Sequence, residues 1–545
     1  MSKNNDQKAG KLIAPHAWSM PGWPSQTQST KPEAVEVWGY ADRFAYSPGD
    51  VVKLHVSCTR PAYSMKIIRD GRQPETVLSR GGVAGHRYTV PEDSYARGCG
   101  WPVALEIVIP QDWRPGFYLV VFTVEAPHDR FESEAFFVVR APKARRTGIA
   151  LMLTTSTLIA YNDWGGANHY RGIGDDPRYE VASPVLSTQR PVGRGFLRKP
   201  QEAPRESHTF SPPMFWEPRY PAYEWARLYG YSRHHADAFW ATYERPFVVW
   251  AEEQGYEIDY LTQHELHFEP DCLDSYSTVV IVGHDEYWTW EMRDRIDAFV
   301  DRGGGLARFG GNFLWQVRLT DEGRTQLCYR TPDRDPDSRT TPQRITTLWD
   351  YKPLNRPGAA TMGLTGTGGT YNRYGVAVPR SSGGFTVYRP EHWAFAGTDL
   401  YYGDLLGGTP VNLATFELDS VEYTFRRGLP YPTFEDGEPE TLEILALAPA
   451  VRGEEDRFDG TVPLNGPMEE SRALMDAIGD QLPPHHGELE GRGAGMIATF
   501  TRGKGEVFNG GSTEWPRALE LRDPFVEKIV RNVLDRFVRK DTTKR

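Results

Sequence analysis

His284 and Glu286 stand two residues apart at the end of the run Thr278-Val279-Val280-Ile281-Val282-Gly283. Extended backbone sends alternate side chains to one face, so an imidazole and a carboxylate are presented together, a pair suited to a hard metal ion or to proton transfer. Shortly after, Gly310-Gly311-Asn312 closes a second apolar run, Leu306 to Phe309. Gly-Gly-Asn is also ordinary turn chemistry, and a polar turn after a buried strand is often no more than that. The surrounding residues favour chemistry. Thr278 to Val282 is β-branched throughout and too short for an ordinary helix, which suits a strand buried on both faces. From Trp290 to Val300 the apolar residues Met292, Ile296, Phe299 and Val300 recur at helical spacing, and Gly303-Gly304-Gly305 ends that helix. Polar residues at the carboxyl ends of two successive strands mark a site in an open parallel α/β sheet, whose ligands bind outside those ends.

The rest of the chain must hold that stretch. Its 545 residues exceed one typical domain and can bury a large core. With Lys plus Arg at 62 against 73 Asp plus Glu, the formal net charge of -11 argues against a dedicated nucleic-acid binder. Cys58, Cys99, Cys272 and Cys328 are scattered without metal-site or disulfide-scaffold spacing, as expected of a reduced, cytoplasmic setting. The first residues lack the apolar core of a signal peptide, and no apolar run approaches the roughly 20 residues of a membrane helix. The expectation is a protein neither exported nor membrane-bound.

Residues 1–33 are polar and Pro-rich, and read as an arm over the surface. In residues 34–142, short β-rich runs such as DVVKLHVSC, GFYLVVFTVEA and EAFFVVRAP are divided by turns such as Ser47-Pro48-Gly49-Asp50, which predicts an immunoglobulin-like β-sandwich. Residues 143–545 alternate strands and helices, predicting a mostly parallel, three-layer α/β domain. Within it, Tyr170 to Phe247 is irregular and rich in Pro, Arg and aromatic residues, an excursion of the kind that builds lids and walls. Arg324 to Asp480 reads as a β-rich insertion with strand-like pieces at Phe385 to Tyr388, Val411 to Phe416 and Leu442 to Ala448.

Several familiar chemistries lose their carriers. There is no G-x-S-x-G elbow, no P-loop, and no Cys placed after a predicted strand as a nucleophile. His264-Glu265-Leu266-His267 has its histidines three apart instead of four and reads as a surface loop. Adjacent histidines, His234-His235 and His485-His486, point in different directions and make poor joint ligands.

Taken as a set, Ala160-Tyr161-Asn162-Asp163-Trp164-Gly165-Gly166, Gly283-His284-Asp285-Glu286-Tyr287-Trp288 and Gly310-Gly311-Asn312 resemble the large, catalytic subunit of the N,N-dimethylformamidase family. Trp113-Arg114-Pro115-Gly116-Phe117-Tyr118 and Gly511-Ser512-Thr513-Glu514-Trp515 fit the same family. The resemblance implies a glutamine-amidotransferase-like α/β fold and a mononuclear Fe(III) centre held by two tyrosines and a glutamate. Carried over, these fall on Tyr161, Tyr170 and Glu286, with Tyr179, Tyr220 and Tyr223 as alternatives for the second tyrosine. His284 and Asn312 match substrate-facing positions, and Glu417 of Phe416-Glu417-Leu418-Asp419 matches the catalytic glutamate. Phenolate and carboxylate oxygens suit hard ferric iron, which would assist hydrolysis of a small amide to an acid and an amine. The implied partners are that amide, further copies of the chain, and a small accessory subunit. Competing readings are a zinc hydrolase and a non-catalytic relative that binds carbohydrate or protein.

Overall fold

The computed structural model describes residues 26–170, 172–173, 181–205, 221–369, 383–415, 417–451, 477–483 and 492–542. Most of the predicted arm, His485-His486, Tyr179 and Tyr220 lie outside them, as does the side chain of Tyr223.

Between Val37 and Val139 the chain forms two sheets face to face. One has three strands, Val37–Ala41, Val51–Cys58 and Val103–Val108; the other has five, centred on Ala62–Asp70, Gly116–Ala126 and Asp129–Val139. The run GFYLVVFTVEA is apolar at nearly every position because its strand is buried on both sides. Tyr118, Val120, Phe122 and Val124 fill the space between the two sheets. Phe117, Leu119 and Val121 point away from it and pack on the second domain. There Phe117 stacks on Trp240 with ring centroids 3.9 Å apart, and Asp70 takes Trp240 Nε1–H at 2.7 Å and Arg245 Nε–H at 2.9 Å. The Tyr118 hydroxyl donates to Arg114 O at 2.7 Å, fixing the corner where the strand begins.

The second domain is built on a nine-stranded sheet. Its strands in chain order are β1 (Ile149–Leu153), β2 (Asp259–Thr262), β3 (Thr278–His284), β4 (Gly305–Gly311), β5 (Phe385–Val387), β6 (Leu405–Leu406), β7 (Glu443–Val451), β8 (Arg492–Arg502) and β9 (Gly505–Asn509). They lie in the order β2-β1-β3-β4-β9-β8-β7-β5-β6. The first five run parallel, and every pairing from β9 to β6 is antiparallel. The expectation of a mostly parallel sheet is therefore corrected to a mixed one. The supposed β-rich insertion supplies β5, β6 and β7 to the main sheet, a pairing between distant segments that local pattern cannot reveal. Val411 to Thr415 forms turns instead of a strand.

Alternate residues of the parallel strands feed two cores. Ile149, Leu151, Val280, Val282 and Phe309 face α2 (Glu244–Glu253) and the closing helix Pro524–Thr542, while Ala150, Met152, Val279 and Ile281 face α4 (Trp290–Asp301). From β1 the chain passes through α1 (Thr155–Tyr161) and leaves to one side for β2; from β3 it leaves to the other side for β4. The crevice outside β1 and β3 is thus a topological switch point, where such sheets bind ligands. His264-Glu265-Leu266-His267 is no surface loop. It forms α3 (Gln263–Phe268), opened by a capping box in which Thr262 and Glu265 satisfy each other's backbone N–H groups, with Glu265, Leu266 and His267 buried. Among the described residues, no helix is long and apolar enough to cross a membrane.

Candidate functional site

Three elements bring their carboxyl ends to the switch point. Helix α1 is buried at every residue and delivers Tyr161 at its last turn. Nine residues later Tyr170 returns to the same place because Asn168 ties the intervening turn: its Nδ2–H donates to Tyr161 O at 3.0 Å and its Oδ1 accepts from Tyr170 N at 2.8 Å. Strand β3 supplies His284 and, beyond its end, Glu286. Strand β4 leads through Gly311 into Asn312, whose left-handed backbone (φ 66°) aims its N–H at Asp419 Oδ1, 2.7 Å away. Two glycines are required by space. At Gly283 (φ 74°) a Cβ would come within 2.3 Å of the Tyr243 side chain, and at Gly311 it would meet Glu417 O at 2.3 Å. The second close approach lets the Glu417 segment lie directly on β4.

The three oxygen donors named from the resemblance converge. Tyr161 Oη is 3.0 Å from Glu286 Oε2, Tyr170 Oη is 2.9 and 2.7 Å from the two Glu286 oxygens, and the two phenol oxygens are 2.9 Å apart. Trp315 Nε1–H fixes Glu286 Oε1 at 2.9 Å. Burial foremost, then the Glu286 charge, holds both phenols well above their ordinary value, so each is neutral and can donate to the carboxylate.

Beside them lies a second group. His284 Nδ1 meets Asp237 O at 2.7 Å, which leaves Nε2 to face Glu286 Oε2 at 3.3 Å and to pair with Glu417 Oε2. Asn312 Nδ2–H donates to the same Glu417 oxygen at 2.8 Å. Burial disfavours the imidazolium, but Glu417 and Glu286 outweigh it and push His284 up to about 10. His284, Glu286 and Glu417 offer ligand atoms within 4.8 Å of one another, a set that could also hold a metal. All six residues singled out in the sequence therefore belong to one cluster, and Glu286 is shared by its two halves.

Other members escaped sequence reasoning. Tyr287 donates to Tyr170 Oη at 2.7 Å, and the Arg330 guanidinium carbon lies 4.5 Å from the Tyr170 ring centroid. The excursion folds inward as a wall: His234, discounted in the sequence, is buried with its ring 5.6 Å from that of Tyr161, and its Nδ1 meets Asp237 Oδ2 at 2.7 Å. Behind the site Arg308 is fully buried between Asp285, at 2.5 Å, and Asp419. An arginine inside an apolar strand was the readable signal here, since such a charge demands buried acids around it.

None of the curated proteins compared with the chain matches it. Among solved structures, a Parabacteroides merdae β-glucuronidase is similar at 17% identity and a TM-score of 0.14, over 20% of this chain. The chain spans only 14% of that structure's length, and this likeness carries no argument. A family model is different in extent: the one described as "N,N-dimethylformamidase beta subunit-like, C-terminal" matches residues 64–529, a stretch that contains both halves of the cluster and the sheet that carries them. By that match the chain belongs to the N,N-dimethylformamidase beta subunit-like family, whose description points to an amide hydrolase.

Proposed function

We propose that the chain hydrolyses the C–N bond of a small, N-substituted amide at a mononuclear ferric centre held by Tyr161, Tyr170 and Glu286. One observation carries this reading: three oxygen donors, on buried Tyr161 and Glu286 and half-buried Tyr170, come from separate stretches of the chain and lie 2.7–3.0 Å apart. Small octahedral cations take oxygens at about 2.0–2.1 Å, so adjacent ligands sit about 2.9 Å from each other. The donor set fits the ion as well as the spacing does, because phenol and carboxylate oxygens are hard ligands. When bound, such an ion supplies Lewis acidity, polarising a carbonyl and acidifying water.

The chain's own residues do the rest. Glu417 accepts the proton of the attacking water and returns it to the departing nitrogen, as general base and then general acid. His284 Nε2–H and Asn312 Nδ2–H, which meet at Glu417 Oε2 in the resting site, are released by its protonation to donate to the oxyanion that develops on the acyl carbon. Loss of one such donor typically costs about 3 kcal/mol of barrier. Asp237 O accepts from His284 Nδ1–H and so fixes the ring of the imidazolium with its Nε2–H directed inward. Asp419 takes no part in proton transfer, being engaged by Arg308 and by the N–H groups of Asn312 and Phe313.

A second reading rests on the histidine and two glutamates that also converge: a divalent ion at His284, Glu286 and Glu417. Metal analysis with a visible spectrum separates the two, since phenolates colour a ferric protein and d¹⁰ zinc gives no such band. Purified protein should contain one ferric ion per chain, be coloured, and release amine from N,N-dimethylformamide or a homologue. Stoichiometric zinc without colour would replace the first reading by the second, and protein with no metal and no amine release would remove both.

A further inference from the structure

We infer that Tyr287 sets the donor strength of Tyr170 and thereby makes the two tyrosines of the site chemically unequal; this rests on the ferric reading above. Tyr287 and Trp315 are register partners in a two-residue parallel ladder formed by Tyr287–Trp288 and Trp315–Gln316. Each sends one hydrogen bond to a different oxygen of the cluster. The Tyr287 hydroxyl donates to Tyr170 Oη at 2.7 Å, and Trp315 Nε1–H donates to Glu286 Oε1 at 2.9 Å. The ladder is itself fixed to the site, since Glu286 O accepts from Trp315 N at 2.9 Å. Tyr287 is fully buried, so its ring has no freedom to withdraw. Arg330 completes the arrangement, its guanidinium carbon 4.5 Å from the Tyr170 centroid and 5.0 Å from that of Trp315.

Tyr161 has no counterpart to this. Among the described residues its hydroxyl meets only Tyr170 and Glu286, both members of the donor set. The asymmetry has a chemical consequence. A phenolate whose oxygen accepts a hydrogen bond and whose ring lies against a guanidinium donates less electron density to a cation, and its filled orbitals lie lower. Tyr170 is then the weaker, more readily loosened donor and Tyr161 the anchor, even though the two side chains are of one type.

The test uses the visible charge-transfer band, recorded on full-length protein titrated to saturation with ferric ion so that a weakened site is still filled. Tyr287→Phe removes the hydrogen bond and keeps the ring, and circular dichroism verifies the fold. Raising the Tyr170 donor orbitals must move the band to longer wavelength. Trp315→Phe serves as the comparison, because it removes the hydrogen bond that the same ladder sends to the Glu286 carboxylate and should move the maximum less. An unmoved band in Tyr287→Phe, or equal movement in both variants, overturns the inference while leaving the ferric site standing. A ferric-saturated wild type without a visible band overturns the ferric reading and the inference together.

Discussion

Replacing Glu417 by Gln separates proton transfer from everything else the cluster does. The Glu417 carboxylate is 5% exposed, and its Oε2 takes a hydrogen bond from Asn312 at 2.8 Å and pairs with His284. A Gln in the same rotamer can leave its carbonyl oxygen in that position, so both donors keep an acceptor. What disappears is the capacity to take up a proton. General acid–base catalysis contributes about 10²–10⁴-fold, which at about 1.4 kcal/mol per decade raises the barrier by about 3–5 kcal/mol. The assay is release of amine from a small amide, run beside metal analysis and a thermal melt. Turnover should fall by at least about 10²-fold, with metal content close to wild type and a cooperative melt retained, its midpoint lowered by loss of the buried charge pair with His284. Wild-type turnover at full metal loading would remove Glu417 from the reaction. Loss of turnover together with metal would place Glu417 among the ligands, beside His284 and Glu286.

Three further outcomes are expected. Arg308→Met leaves the fully buried Asp285 and Asp419 without their shared cation, and should cost about 3–5 kcal/mol in denaturant unfolding; an unchanged midpoint would show that the clamp contributes nothing net. Glu244 is fully buried, with Oε1 accepting from Thr154 Oγ1 at 2.7 Å, and burial pushes its carboxyl from 4.5 up to about 7. A folded value above the unfolded one gives stability that is whole below pH 4.5 and lost as pH rises through 7. Relative to Glu244→Gln, the wild type should therefore lose on the order of 3 kcal/mol across that window, and a pH-independent difference between the two would sink the argument. Tyr161→Phe keeps the ring but not the donor, so iron binding and colour should drop while the circular dichroism spectrum persists; full iron content in that variant excludes Tyr161 as a ligand.

Where chemistry and local pattern coincide, the sequence was legible. The β-branched run before His284 became β3, and the helical spacing after Trp290 became α4, ending at the glycines that stop it. Tyr161 and Tyr170 could not be picked from 27 tyrosines by pattern, because what unites them is the Asn168 side chain, a contact with no periodicity. The excursion looked irregular since its order comes from burial around the site, where Asp237 O meets His284 and its carboxylate meets His234. His264 to His267 read as a surface loop because its histidine spacing fits no metal motif and it follows a strand, although Thr262 and Glu265 spell a helix start. The antiparallel half of the sheet pairs β7 with β8 across a long intervening segment, so nothing near either strand announces its partner.

A sheet of nine strands has two rims, and each bare rim is a template on which another chain can stack. Here one rim ends in β6, only the two residues Leu405 and Leu406, too short to template much. The other is β2, which lies against the Gly116–Ala126 and Asp129–Val139 strands of the N-terminal sandwich. The sandwich thus acts as a guard rail for the sheet that carries the site. Cutting the chain between the two domains would uncover the β2 rim together with the apolar face that Phe117, Leu119 and Val121 cover, and the severed fragment would be prone to aggregate.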